Sequence, residues 1–141
     1  MQVIKRTVLK QKPEKGTALG FGKYFTDYMF TMKYTKEQGW HDAKIQPNEP
    51  VRFDLATTIF HYAQGIFEGM KAFLQPDGSI GVFRPDQNWA RMNRSAERMC
   101  IPQFPVELAQ QGLEQLLKLE KDWIPREAGT ALYIRPTIVA T

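Results

Sequence analysis

Cysteine is nearly absent from this sequence: Cys100 is the only one among 141 residues. An internal disulfide is thereby excluded, and a single thiol suits a reducing compartment. Histidine is almost as scarce. His41 and His61 have no partners at zinc-ligand spacing, which argues against a metal site built from the protein. No apolar run approaches the ~18–20 residues that a membrane span needs. The basic opening, "MQVIKRTVLKQKPEKG", has no continuous apolar core behind it and does not read as a secretory signal. A soluble, cytoplasmic protein with no membrane partner is the expectation. Nucleotide cradles of the Gly-x-Gly-x-x-Gly or P-loop type are missing too. Ser79 falls in a turn and Ser95 in a helix, and neither has the Gly-x-Ser-x-Gly setting of an exposed nucleophile.

The residues that are present describe a globular chain with 43% hydrophobic and 12% aromatic residues, enough for a core in a single domain. The net charge is +4, but the basic residues are dispersed among acidic ones. Even "RPDQNWARMNRSAER" contains Asp86 and Glu97, and it has no base-reading groups beside it. A nucleic-acid partner is not expected.

Along the chain, residues 1–16 read as a polar arm that needs an anchor, ahead of one domain over 17–141. Aromatic residues and threonine in 21–34 favour one strand or two short ones. Residues 37–50, with Gly39, Pro47 and Pro50, read as loop. Asp54 is positioned to cap a short helix ending near Gly65. In 67–85, two alternating runs flank Pro76-Asp77-Gly78-Ser79 and predict a hairpin. Pro85 opens a helix to about Cys100. A second amphipathic helix spans 105–125, with Ala109, Leu113, Leu116 and Leu117 on one face and Pro125 as its stop. Residues 130–140 return to a strand. This order of elements predicts an α+β fold.

Several polar residues sit in apolar surroundings. On the helix after Pro85, a stripe of Trp89, Met92, Ala96 and Met99 runs beside Arg91, Arg94 and Arg98. These arginines form either a solvated face or a phosphate grip, since guanidinium matches phosphate through parallel hydrogen bonds. Gly65 and Gly69 flank an apolar pair and Glu68, allowing a bulge or a close backbone approach. Tyr62 and Phe67 read as core aromatics, and Lys71 as a solvent-facing hairpin residue. In "ALYIRPTIV", alternation puts Tyr133, Arg135 and Thr137 on one side, opposite Leu132 and Ile134. That polar side is either the wet face of a sheet or a grip for a carboxylate.

The stretches "FGKYFTDYM" (21–29), "HYAQGIFEGMKAF" (61–73), "FRPDQNWARMNRSAERMCIP" (83–102), "DWIP" (122–125) and "AGTALYIRPT" (128–137) resemble, in order and spacing, the N-terminal part of branched-chain amino-acid aminotransferases. These are pyridoxal 5′-phosphate enzymes of fold type IV. The resemblance implies that Arg91 binds the cofactor phosphate. It further implies that Phe21, Tyr62, Phe67 and Tyr133 line a pocket for leucine, isoleucine and valine side chains. Arg135 would receive the second carboxylate of glutamate, the partner of 2-oxoglutarate in amino-group transfer. Tyr62 would reach the neighbouring subunit of a homodimer.

The resemblance also implies what is not here. None of the lysines matches the catalytic lysine, which belongs with the acidic partner of the pyridine nitrogen to a second domain. The small domain itself would be incomplete after "RPT", and the isolated chain inactive. Other fold type IV enzymes, such as D-amino-acid aminotransferases and aminodeoxychorismate lyases, lack the extended "NRSAERMCIP" and "DWIP" pattern. A non-catalytic fragment that binds a ligand or dimerises is the alternative from another class.

Overall fold

A computed structural model describes residues 1–141. The chain mixes helices with small sheets and divides into two compact units. One comprises Met1–Glu49 with Glu107–Trp123, and the other Pro50–Val106 with Ile124–Thr141. No helix is long and apolar enough to cross a membrane.

In the first unit, β2 (Tyr28–Thr35) and β3 (Gly39–Pro47) form an antiparallel hairpin, and β1 (Gln2–Val3) adds in parallel to β3. The loop expected over 37–50 is therefore mostly strand. Gly39 (φ 65°) supplies the turn at one end and Pro47 closes the other, so these residues punctuate the strand's limits and leave its interior intact. Between them, Trp40 pairs with Tyr34 edge-on at 5.5 Å and Ile45 is wholly buried. A register shift between Thr31 and Lys33 marks a bulge.

The polar arm finds its anchor here. Ile4 N–H donates to Ile45 O at 2.8 Å, and Lys10 N–H donates to Asp27 Oδ1 at 2.6 Å. The helix α3 (Val106–Leu119) buries Ala109, Gly112, Leu113 and Leu117. It stops before Pro125, and Lys121–Trp123 forms a separate 3₁₀ turn.

Two buried carboxyls close this unit. Burial raises the Asp27 carboxyl, but hydrogen bonds from Lys10 N–H and Trp123 Nε1–H, with the charges of Lys12 and Arg6, outweigh it and leave the group below its usual range. Glu120 is 2% exposed. Burial pushes it up to about 7, helped by the neighbouring Asp27 charge and opposed by the Tyr28 N–H that it accepts.

The second unit holds α1 (Thr58–Tyr62), β4 (Gly65–Phe67), β5 (Met70–Leu74), β6 (Ile80–Val82), α2 (Pro85–Arg98), β7 (Leu132–Ile134) and β8 (Thr137–Val139). The predicted hairpin is β5–β6, turning through Gln75–Ser79. Proline at the first position of α2 matches its start, and Trp89, Met92 and Ala96 are buried as the stripe predicts.

The strand expected over 130–140 is two strands in different sheets. β7 joins β5 in the order β6-β5-β7, while β8 pairs with β4. Pro136 has no N–H to give a ladder, and the change of sheet occurs at Arg135-Pro136. Tyr62 and Phe67 are not core residues, being 79% and 63% exposed. Tyr62 ends a five-residue helix that buries nothing. Phe67 follows buried Ile66, and strand alternation turns it to the opposite face.

Candidate functional site

In the second unit, two chain corners meet. Phe67 pairs with Thr137 and Met70 with Ile134, so Glu68-Gly69 lies opposite Arg135-Pro136 where the ladder changes sheets. Glu68 N–H donates to Pro136 O at 3.0 Å and ties the corners together.

The Arg135 guanidinium lies over the Phe67 ring, 4.3 Å from its centre, and its Nη2 donates to Tyr133 Oη at 2.8 Å. A cation on an aromatic face is attracted by the ring's quadrupole while its outer hydrogens still face water. The period-two spacing of Tyr133 and Arg135 puts both side chains on one face, as alternation predicts. Gly69 allows the close approach: a β-carbon there would fall 2.9 Å from Tyr133 Cζ and nearer still to its hydroxyl.

Arg91 reaches the same corner from α2. Its Nε donates to Glu68 Oε1 and its Nη2 to Glu68 Oε2, both at 2.9 Å. Asn88, one turn earlier on the same helix face, donates from Nδ2 to Glu68 Oε2 at 2.9 Å and to Gly69 O at 3.0 Å. The Arg91 bond, against burial and with help from Asn88 and the Gly69 N–H, holds the Glu68 carboxyl below its usual range. The same bond raises the guanidinium of Arg91.

Thus Phe67, Tyr133 and Arg135 come together, and Arg91 joins them through Glu68. Tyr62 stands apart on α1, where its ring neighbour is His61 at 6.4 Å. Phe21 belongs to the first unit, on an exposed loop. The residues that sequence reasoning passed over are Glu68 and Asn88, which orient Arg91. The available signal was the three-residue step from Asn88 to Arg91 on a helix, and a carboxylate set between two apolar strands.

Over 137 residues, 97% of its length, the chain is 51% identical to branched-chain-amino-acid transaminase 1 of Bacillus subtilis (strain 168). The chain is related to the branched-chain-amino-acid aminotransferases. A second B. subtilis aminotransferase of this kind, branched-chain-amino-acid aminotransferase 2, is 47% identical over 94% of the chain. A probable branched-chain-amino-acid aminotransferase of Staphylococcus aureus (strain N315) is 46% identical over the whole chain. The chain spans 38%, 36% and 39% of the lengths of these three aminotransferases. No protein-family model matches it.

Proposed function

We propose that the chain is the N-terminal part of a pyridoxal 5′-phosphate-dependent branched-chain aminotransferase of fold type IV. The reaction moves the amino group of leucine, isoleucine or valine to 2-oxoglutarate, and back. Beyond the kinship with named aminotransferases, one observation carries the reading: an arginine, Arg135, rests on an aromatic face beside a tyrosine hydroxyl. The pocket must accept an apolar side chain in one half-reaction and the second carboxylate of glutamate in the other. The Phe67 face serves the first, and the Arg135 outer edge, steadied by Tyr133, serves the second.

The cofactor, when bound, supplies the electron sink that makes the amino-bearing carbon acidic. Arg91 fits its phosphate: the guanidinium is half exposed and Nη1 has no protein partner. The proton-shuttling lysine and the acidic partner of the pyridine nitrogen are assigned to a second domain. In this reading the enzyme is a cytoplasmic homodimer, and exposed Tyr62 is available to the neighbouring subunit's site.

The test is an assay of the protein expressed from its full coding frame, with leucine, 2-oxoglutarate and pyridoxal 5′-phosphate. Glutamate should accumulate, and it should not in the 141-residue chain alone. Borohydride treatment of the 141-residue chain with the cofactor should leave no stoichiometric adduct on a single lysine. A full-frame protein that forms no glutamate overturns the reading.

A further inference from the structure

Arg91 meets Glu68 side-on. The Nε and Nη2 hydrogens that point along one edge are both taken by the carboxylate. The outer edge, formed by Nη1 and the second Nη2 hydrogen, has no protein partner. An ordinary surface ion pair between two long side chains orders little, because both partners must be immobilised. Here one partner is already fixed. The Glu68 side chain is 13% exposed against 50% for Arg91, and the buried Asn88 amide holds Oε2 while bonding the Gly69 carbonyl. Glu68 itself sits in a backbone corner tied to Pro136.

We propose that Glu68, oriented by Asn88, is a positioning residue that fixes the Arg91 guanidinium so that its outer edge is offered to a phosphate monoester. The inference rests on the reading of Arg91 as the cofactor-phosphate ligand. A guanidinium held in place before the ligand arrives loses less rotamer freedom on binding. Its planar edge also presents two parallel donors to phosphate oxygens. The carboxylate has an opposing effect, since its charge offsets that of Arg91 and weakens long-range attraction for an anion. The two effects give opposite signs for removal of the Glu68 charge, and that sign decides between them.

The experiment uses the full chain labelled with ¹⁵N, following the Arg91 Nε–Hε resonance, assigned by its loss in Arg91→Lys. The probes are pyridoxine 5′-phosphate, which has no aldehyde to react with lysines, and pyridoxine, which has no phosphate. The quantity read is the ratio of their dissociation constants. The phosphate ester should bind the native chain more tightly, and Arg91→Met should abolish the advantage. Glu68→Gln should reduce it about fivefold or more, as expected for losing a charge-assisted bond, with pyridoxine affinity unchanged. Asn88→Ala should act in the same direction, more weakly, and keeps the test open if Glu68→Gln does not fold. In the Arg91→Met background, Glu68→Gln should change the ratio no further.

A ratio that stays constant or rises in Glu68→Gln, while Arg91→Met still lowers it, overturns the positioning role and leaves the phosphate reading standing. Equal weakening of both probes would make Glu68 a structural clasp only, and also overturns it. No preference of the native chain for the phosphate ester, or an Arg91→Met variant that keeps it, overturns the phosphate reading and this inference together.

Discussion

The Tyr133 ring occupies the space that a side chain on residue 69 would need, with Cζ only 2.9 Å from a β-carbon placed there. Gly69→Ala must push this ring aside, and with it the hydroxyl that receives Arg135 Nη2. We expect a loss of about 1–3 kcal/mol, the usual cost of overpacking. Tyr133→Phe removes the nearest atom, so Gly69→Ala should cost less in that background. Strict additivity in urea unfolding of the double variant would mean that the ring is not the obstacle.

A second close approach lies in the first unit, where Gly112 of α3 faces the Phe30 ring, with Cδ2 and Cε2 2.8 Å from a β-carbon placed there. In an exposed helix, Gly→Ala would gain about 1 kcal/mol from propensity. Here the obstacle is the body of a ring. Gly112→Ala should therefore destabilise by about 1–2 kcal/mol net, overpacking exceeding propensity. A rise in the unfolding midpoint would show that Phe30 moves away freely.

Local chemistry made much of this fold legible. Pro76-Asp77-Gly78-Ser79 declared its hairpin, and Pro85 with the Trp89–Met92–Ala96 stripe declared α2. Two errors share a cause, the reading of residue type without ladder partners. Gly39 and Pro47 looked like loop residues because composition does not show that they stand at the ends of a strand. Residues 130–140 looked like one strand because alternation continues through Pro136 although the hydrogen-bond partners change there. The face carrying Tyr133 and Arg135 was legible from period two alone. Its neighbours Phe67 and Gly69 were not, since only pairing across the sheet brings residues so distant in sequence together. Tyr62 and Phe67 were misread as core because aromatic character does not reveal which way a strand or a short helix end points.

Glu120 gives the first unit a pH dependence whose sign follows from its carboxyl. Folding raises this group from 4.5 to about 7. Between those values the folded chain holds a proton that the unfolded chain has released, so stability falls as pH rises through this window. The full effect is roughly 3 kcal/mol, lost by pH 8. Asp27 acts oppositely and lower down: its lowered carboxyl contributes stability that disappears as pH falls below about 3.8. Urea midpoints from pH 4.5 to 8 should decline in the native chain. They should stay nearly level in Glu120→Gln, which can still accept the Tyr28 N–H. A decline of equal size in that variant would place the titrating group elsewhere.

Arg135 provides the sharpest test of the proposed substrate wall. Its guanidinium is steadied by the Phe67 face and the Tyr133 hydroxyl, so its outer hydrogens can take a carboxylate without new ordering of the side chain. A branched apolar side chain in the same pocket has no charge for it to meet. In the full-frame enzyme, Arg135→Ala should therefore lower kcat/KM for glutamate by about tenfold or more, the cost of one charge-assisted contact, and that for leucine by only a few-fold. Tyr133→Phe should shift the two substrates in the same order but by less, because Arg135 keeps its aromatic support. Phe67→Ala should reverse the order: leucine loses apolar contact area, while the arginine remains to hold glutamate. Equal losses for both substrates in Arg135→Ala would remove the carboxylate-binding role and leave Arg135 as a brace for the junction between the two sheets.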